Sequence, residues 1–273
     1  MKIYKIEDIL GKLEYSIKKK RSFSHIRFGD GGIKLLHAVF HSDKNQLEEI
    51  SIREGIPVKK MDEIVKFWGY CARKADFIDT PAVYFTDKFW DRTVGPGQPI
   101  SVKTEKRLKM WKELYSEANF ENQNYCNPES NYLMVSRIKG KKNLLDIMGD
   151  KKIAIICTNP EIRNKLTFCK VTAIKIAGHF ENQYTRSFDK ITAYIKKNAR
   201  RFDFWLVAAG ELGRVYSGLI KANGGRSIDI GFIVDFWMGA DIHPRLKPYL
   251  TRKFKSNFEL ELTFLGQKYE EYL

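Results

Sequence analysis

Ile153-Ala-Ile-Ile-Cys157 is an uninterrupted apolar run that ends at the polar stretch Thr158-Asn-Pro-Glu161. A short run of this kind is typical of a strand that is buried on both faces of a parallel sheet. Trp205-Leu-Val-Ala-Ala209, which leads into Gly210 and Glu211, repeats the pattern of a buried strand followed by a turn. The two runs therefore predict a parallel sheet with polar residues at the carboxyl ends of its strands.

The chain around these two runs alternates between strand and helix patterns. Strands are predicted at Phe23–Phe28, Tyr132–Val135, Ile153–Cys157, Val171–Ile176, Phe204–Ala208 and Ser227–Ile230. Helices are predicted at 6–21, 33–40, 44–53, 58–75, 102–117, 141–148, 160–166, 186–200 and 212–223. This order predicts an α/β fold, a Rossmann-like mostly parallel sheet with helices on both faces and a helical insert in the N-terminal half.

Length and composition predict one domain over residues 1–273. The chain has 273 residues, of which 43% are hydrophobic, so a full core can form. We expect a helical, loop-rich part at about 1–130, a regular Rossmann-like part at about 131–237 and a tail at 238–273.

The chain is strongly basic, with a net charge of +15. Its densest positive runs are Lys18-Lys-Lys-Arg21 and Lys196-Lys197 with Arg200-Arg201. Such charge favours an anionic partner, whether nucleic acid, an acidic membrane face or a phosphorylated substrate, although both runs also suit solvated helix ends. Four cysteines without a disulfide framework and the lack of a signal or membrane-spanning pattern predict a cytoplasmic protein whose membrane contact, if any, is peripheral.

Four polar clusters follow predicted strands, where ligands bind in open α/β sheets. The first is Arg27-Phe-Gly-Asp-Gly-Gly32, whose glycines let the backbone approach a phosphate at a helix N-terminus. An ordinary tight turn capped by Asp30 explains it equally well. The second cluster centres on Asn159, which is a good helix cap as well as a candidate ligand-binding residue.

The other two clusters lie later in the chain. Gly210-Glu-Leu-Gly-Arg214 places a cation in the first turn of a helix, where it opposes the helix dipole and is explained best by a nearby anion. Asp229-Ile-Gly231 could bind a ribose or sugar hydroxyl, or simply cap the strand end. Asp79 precedes Pro81 in a region where an acceptor loop is expected.

In their order, three of these segments resemble the GT-D glycosyltransferases, typified by the bacterial enzymes that extend glycans on serine-rich repeat adhesins. Family members carry an Arg-Phe-Gly-Asp-Gly-Glu segment, which resembles Arg27–Gly32 here. A glycine-containing strand-to-helix turn resembles Ala209–Gly213, and an Ala-Leu-Asp-Ile-Gly-His-like segment resembles Ser227–Phe232. Order and spacing agree from about residue 20 to 237.

The resemblance implies transfer of a hexose or pentose from a UDP-sugar donor to a hydroxyl of a glycan or glycoprotein, in glycan biosynthesis. Together with the clusters, it predicts a donor site formed by Arg27, Gly29, Asp30, Gly31, Asn159, Gly210, Glu211, Arg214, Asp229 and Gly231. A general base must take the proton of the acceptor hydroxyl. The candidates for this base are the carboxylates Asp30, Asp79 and Glu211.

The chain departs from the family at two positions. The family's Asp-x-Glu pair is linked to a divalent cation, but the Glu position is Gly32 here, and the position that resembles the family's His is Phe232. We therefore expect Mn²⁺ or Mg²⁺ to be dispensable, with Arg27, Arg214 and Arg226 carrying the charge of the leaving diphosphate. Asp30 is the expected ligand if a metal is used.

Two other classes of protein compete with this interpretation. The charge suits a basic nucleic-acid-binding protein, but no helix-turn-helix, zinc or RNP-like pattern is visible. Another Rossmann-fold nucleotide-dependent transferase, or a dehydrogenase, would suit the strand order, but no G-x-G-x-x-G follows a strand.

Overall fold

The computed structural model describes residues 3–27, 30–79, 124–126, 134–135, 142–178 and 180–238. Its described strands are β1 (Ile3–Tyr4), β2 (Phe23–Ile26), β3 (Phe77–Asp79), β4 (Tyr125–Cys126), β5 (Lys152–Cys157), β6 (Lys170–Lys175), β7 (Phe204–Val207) and β8 (Arg226–Asp229). They form one sheet in the order β1-β4-β3-β2-β8-β7-β5-β6, and every neighbouring pair is parallel. Strands from both halves of the chain therefore share a single sheet.

Helices connect these strands. The described α-helices are α1 (Ile6–Lys18), α2 (Asp30–Phe40), α3 (Lys44–Glu54), α4 (Val58–Lys74), α5 (Leu144–Met148), α6 (Gln183–Asn198), α7 (Gly213–Ala222) and α8 (Ile233–Trp237). Short 3₁₀ turns lie at Pro160–Asn164, Ala199–Arg201 and Gly210–Leu212. No helix in the described part of the chain combines the length and the apolar character that a membrane span requires.

The sheet is buried on both faces, which explains the apolar runs. In β5, Ala154 and Ile156 pack in a core with α2, α3, α4, α6 and α7, whereas Ile153 and Ile155 pack on the other face with α1, α5 and α8. Alternate residues of one strand point to opposite faces, so a strand between two helical layers needs apolar residues throughout. The predicted α/β fold with helices on both faces is confirmed.

Local signals explain where helices begin and end. Asp43 caps α3 by accepting the backbone N–H of Gln46 at 3.1 Å, and Gly55 ends it in the left-handed conformation at φ 66°. Pro57 then precedes α4. The predicted helices at 6–21, 44–53 and 58–75 are confirmed with small shifts of their ends.

Some predicted elements differ from the structure. Met134 and Val135 are helical rather than part of a strand, and residues 160–164 form a 3₁₀ turn instead of a longer helix. The short strands β1, β3 and β4 were missed. Each has two or three residues, too few to show a period-2 pattern.

The strand order brings the predicted clusters to one edge. β2 pairs with β8, which pairs with β7, so Arg27, Gly210 and Asp229 each follow or end one of three adjacent strands. Parallel strands present all their carboxyl ends at the same edge of the sheet. We call this side the carboxyl edge and the opposite side the amino edge.

Candidate active site

A cavity of about 210 Å³ lies at the carboxyl edge. Six of the predicted donor-site residues line it: Arg27, Gly210, Glu211, Arg214, Asp229 and Gly231. They come from the segments after β2 and β7 and from the end of β8. The three segments singled out in the sequence therefore converge on one cavity.

Arg214 is the most tightly held side chain of this cavity. It is only 4% exposed. Its Nε donates to the backbone oxygen of Arg27 at 2.7 Å, and its Nη1 donates to Glu211 Oε2 at 2.5 Å. Its guanidinium also lies 5.3 Å from the centre of the Trp68 ring, within the range of a cation–π interaction. These three contacts, with the Glu211 carboxylate, the Arg27 carbonyl and the Trp68 ring, explain how a cation is tolerated in the first turn of α7.

Two glycines leave room for the two arginines. A Cβ atom at Gly32 would lie 2.7 Å from Arg214 Nη2. A Cβ atom at Gly231 would overlap Arg27 Nη1, and the backbone of Gly231 is left-handed, with φ 51°. A larger side chain at either position would therefore displace the guanidinium end of an arginine.

Arg27 is supported by a buried cluster beneath it. Asp79, at the end of β3, is 2% exposed. Its Oδ2 accepts from Arg27 Nε at 3.3 Å, and its Oδ1 lies 2.7 Å from His25 Nε2 and accepts from Cys126 Sγ at 3.0 Å. This arrangement fixes the Asp79 carboxylate and orients the guanidinium of Arg27.

Asp229 is a buried carboxyl group at the end of β8. It is 4% exposed, and its Oδ1 accepts the backbone N–H of Gly231 at 3.0 Å. Burial raises the pKa of Asp229, although the nearby charges of Arg27 and Arg214 act in the opposite direction. Because burial disfavours the charged form, the carboxyl group keeps its proton to a higher pH than an exposed aspartate.

The remaining predicted residues lie elsewhere or outside the described part. Asn159 does not line the cavity, since its side chain caps the 3₁₀ turn by accepting the N–H of Glu161 at 3.1 Å. Asp79 lies below Arg27 instead of in the cavity wall. Asp30 and Gly31 are the first two residues of α2, and Gly29 lies outside the described residues.

The prediction for Arg226 is wrong. Arg226 is the first residue of β8, whereas Asp229 is the last, so the two lie at opposite edges of the sheet. Three residue steps along a strand cover about 10 Å. The Arg226 guanidinium donates to the backbone oxygens of Asp203 and Phe202, away from the cavity.

Residues that the sequence did not assign to the donor site also line the cavity: Thr158, Gln183, Ala208, Phe232 and Asp235. Thr158 Oγ1 donates to Asp235 Oδ1 at 3.5 Å, which links the end of β5 to α8. A signal was present for two of these residues, because Thr158 directly follows one predicted strand and Ala208 is the last residue of another. Gln183 had no such signal.

Gln183 is held so that its amide oxygen needs a partner. The side chain is 2% exposed, and its Nε2 donates to the backbone oxygen of Ala209 at 3.4 Å. A carbonyl can only accept, so this contact fixes which end of the amide is nitrogen. Oε1 is buried and has no hydrogen-bond partner among the described residues. A buried acceptor of this kind is costly until a donor reaches it.

The metal that the family resemblance implies does not fit position 32. Gly32 has no ligand atom, and the space of a side chain there is next to the Arg214 guanidinium. His25, Asp79 and Cys126 are close enough to share an ion, but they are buried and contact one another through the Asp79 carboxylate. The cavity itself has two arginines beside its carboxylates.

Comparison with protein families gives the fold a name. The family model of the GT-D fold-like domain matches residues 4–237. The chain belongs to this family. Among curated proteins, none matches it.

Three solved structures are similar to this GT-D protein. A glycosyltransferase from Streptococcus sanguinis with domain of unknown function 1792 is 17% identical, with a TM-score of 0.56 over 100% of this chain and 97% of that chain. A selenomethionine-substituted structure of the same domain is 20% identical, with a TM-score of 0.54 over 97% and 92%. A third, described as having a distinct glycosyltransferase fold, is 20% identical with a TM-score of 0.50 over the same shares. At these identities the likeness shows a shared fold.

The buried state of Asp229 predicts how stability depends on pH. A carboxyl group whose pKa is raised by folding contributes stability below its unfolded pKa of about 3.9, and this contribution is lost as the pH rises through the raised value. We expect the unfolding free energy of the wild type, relative to Asp229→Asn, to fall as the pH rises above about 4. Urea denaturation at several pH values measures this difference.

Asp150→Asn is a control for which we expect the opposite pH dependence of the unfolding free energy. A hydrogen bond from Lys151 lowers the pKa of the exposed Asp150 carboxyl, so its contribution is lost as the pH falls. An Asp229→Asn difference that stays constant with pH, or that grows with rising pH, would contradict the assignment of a raised pKa.

Proposed function

We propose that this GT-D protein is a glycosyltransferase that moves a sugar from a UDP-sugar donor to a hydroxyl of a glycan or glycoprotein. The observation that carries the proposal is the convergence of Arg27, Gly210 and Asp229 around one cavity at the carboxyl edge. Ligands of open α/β sheets bind at this edge. The similar structure from Streptococcus sanguinis is named a glycosyltransferase, which supports the same reaction class.

The charges of the cavity support binding of a diphosphate. Arg27 and Arg214 contribute two guanidiniums to its wall. The helices α2 and α7 both begin at this edge, and helix N-termini carry partial positive charge that favours phosphate. The wall also contains three carboxyl groups, Glu211, Asp229 and Asp235, and burial raises the pKa of Asp229. We propose that the two arginines stabilise the leaving nucleoside diphosphate.

The same arginines support transfer without a divalent cation. Where the family carries a glutamate, Gly32 leaves space that the Arg214 guanidinium borders. A guanidinium fixed beside the leaving group provides positive charge before the reaction begins, as a bound cation does. We propose that Arg214 takes over this electrostatic role, together with Arg27.

Glu211 is the base candidate that this geometry favours. Its carboxylate lines the cavity, next to Arg214. Asp79, by contrast, is buried beneath Arg27 and accepts hydrogen bonds from that arginine and from Cys126. We propose that Asp79 is a positioning residue that orients Arg27, while Asp30 remains the alternative base.

Gln183 provides a recognition group for the donor. Gln183 lines the cavity, and its buried Oε1 accepts no hydrogen bond from the described residues. We propose that this oxygen accepts a hydrogen bond from an N–H or O–H group of the nucleotide sugar.

The setting of the reaction is also a proposal. The four cysteines lie in the described part of the chain and form no disulfide bonds, which suits a reducing compartment such as the cytoplasm. The sugar is proposed to be a hexose or a pentose.

Another nucleotide-dependent transferase is the second candidate, because the cavity combines cations and hydrogen-bonding groups that suit any nucleoside diphosphate.

Binding of the donor tests the proposal directly. We expect UDP and one or more UDP-sugars to raise the melting temperature by about 5–10 °C at a hundredfold excess over Kd, whereas S-adenosylmethionine and NAD leave it unchanged. The matching UDP-sugar should also be hydrolysed slowly in the absence of acceptor. A shift with S-adenosylmethionine or NAD but none with UDP would move the protein to another class of Rossmann-like enzyme.

Removal of metal tests the role of the arginines. Turnover in EDTA should stay within about threefold of the untreated rate, while Arg214→Ala should lower kcat by about 10²–10³-fold, the usual effect of removing a preorganised electrostatic group. Arg163→Ala, at an exposed position outside the cavity, is the control for loss of a positive charge. Complete loss of turnover in EDTA, restored by Mn²⁺ or Mg²⁺, would refute the metal-independent mechanism.

Gln183→Leu tests donor recognition. Leucine is close in size to glutamine but lacks the amide, so we expect KM for the donor to rise about fivefold or more, as for the loss of one hydrogen bond. The value of kcat should change less. Gln46→Leu on α3, where the native amide contacts His37, serves as the control. An unchanged KM in Gln183→Leu would exclude a donor contact at Oε1.

A further inference from the structure

A second cleft, of about 670 Å³, lies at the amino edge of the sheet. Ser22, directly before β2, lines it together with Lys152 and Arg226, the first residues of β5 and β8. The cleft also includes residues that directly precede β7. Because the strands are parallel, this amino-edge cleft is separated from the candidate active site by the length of the strands.

The amino-edge cleft is strongly basic. Five cationic side chains line it: Lys20, Lys152, Arg200, Arg201 and Arg226. Among the described residues that line it, Asp203 is the one carboxylate, and its Oδ2 accepts the backbone N–H of Lys152 at 2.8 Å. Across the residues that the structure describes, none of the five cations forms an ion pair with a carboxylate. The fold thus brings together the two basic runs of the sequence.

Arg226 forms the buried part of this surface. The residue is 6% exposed, and its Nη2 donates to the backbone oxygen of Phe202 at 3.0 Å. Its Nε donates to the backbone oxygen of Asp203. Burial lowers the pKa of Arg226, which reflects the cost of keeping this charge away from water. A buried charge is normally compensated by an opposite charge; here neutral carbonyl groups accept the hydrogen bonds of Arg226, and the charge of Asp203 opposes part of the cost of burial.

The other cations are also held by neutral groups. Arg200 Nε donates to the backbone oxygen of Asn223 at 3.2 Å, and Arg201 Nη1 donates to Asn198 Oδ1 at 2.9 Å. A Cβ atom at Gly224 would overlap Arg200 Nε, so glycine makes room for this side chain. These contacts orient the guanidiniums without neutralising them, which lowers the entropic cost of binding an anion.

We propose that the amino-edge cleft is an anion site that binds a phosphate group of a ligand other than the sugar donor. Guanidinium groups match the oxygens of phosphate with paired hydrogen bonds, and several fixed cations in a concave surface favour a doubly charged group. A soluble phosphate ester and a phospholipid headgroup share this chemistry. The site is independent of the proposed glycosyl transfer, because no residue lines both cavities.

Pyrophosphate is the first probe, titrated by isothermal calorimetry with saturating UDP present to occupy the proposed diphosphate-binding cavity at the carboxyl edge. Arg200→Ala/Arg201→Ala removes two exposed cations of the cleft, so the variant should fold normally. We expect its affinity for pyrophosphate to be at least about tenfold weaker than that of the wild type, about 1.4 kcal/mol. Lys196→Ala/Lys197→Ala is the matched control, since it removes two exposed charges from the last turn of α6 that do not line the cleft. The control should bind within about twofold of the wild type.

Two further arms identify the site and the source of the phosphate. Arg214→Ala should retain the pyrophosphate binding that Arg200→Ala/Arg201→Ala loses, because Arg214 lies at the carboxyl edge. Sedimentation with phosphatidylglycerol–phosphatidylcholine vesicles, against phosphatidylcholine alone, tests a lipid headgroup. Binding to the anionic vesicles that depends on Arg200 and Arg201 identifies the membrane as the source, and binding to pyrophosphate alone identifies a soluble ligand.

Three outcomes would overturn the proposal. One is the absence of binding to both pyrophosphate and anionic vesicles. Another is an equal loss of affinity in the two double variants, which would show a general effect of net charge. The third is Arg200- and Arg201-dependent binding of a single-stranded oligonucleotide without any binding of pyrophosphate, which would assign the cleft to nucleic acid.

Discussion

The buried guanidinium of Arg214 is the contact on which the candidate active site depends. It joins the backbone after β2, through the Arg27 oxygen, to Glu211 in the 3₁₀ turn before α7 and to the Trp68 ring on α4. Gly32 on α2 borders it on another side. A buried cation is stable only while its hydrogen bonds and its counter-charge are in place. The positions of these four segments are therefore coupled through one side chain.

The two edges of the sheet treat positive charge differently. At the carboxyl edge, Arg214 meets Glu211 and Arg27 meets Asp79, so each arginine is held by a carboxylate. At the amino edge, Arg226 meets only backbone carbonyls. The net charge of +15 gives no indication of this division. An arginine paired with a carboxylate can orient a ligand without dominating its binding. An arginine whose hydrogen bonds go to neutral carbonyl groups keeps a positive field that favours an incoming anion.

The sequence predicts the long, doubly buried strands well, because β5 and β7 need apolar residues on both faces. It also predicts which strand ends meet, as Gly210 and Asp229 illustrate. Short strands such as β3 are not predicted from the sequence, because three residues are too few to show a periodic pattern. Gln183 is not predicted as a site residue, because the sequence does not show in which direction a polar side chain at the start of a helix points. Arg226 was wrongly predicted to contact the diphosphate, because its charge suits that role but its place at the start of β8 puts it at the opposite edge of the sheet.

The glycines near the cavity have a meaning that their motif does not reveal. In the sequence, Gly32 and Gly231 suggest a backbone that approaches a phosphate. In the structure, each glycine borders an arginine, and a side chain at either position would collide with a guanidinium. Under the proposed function, the diphosphate meets Arg27 and Arg214 rather than bare backbone. A side chain at position 32 would press against the Arg214 guanidinium, so this arginine stands beside the position where the family carries its glutamate. Under the proposed function, its positive charge takes the place of a metal held through that position.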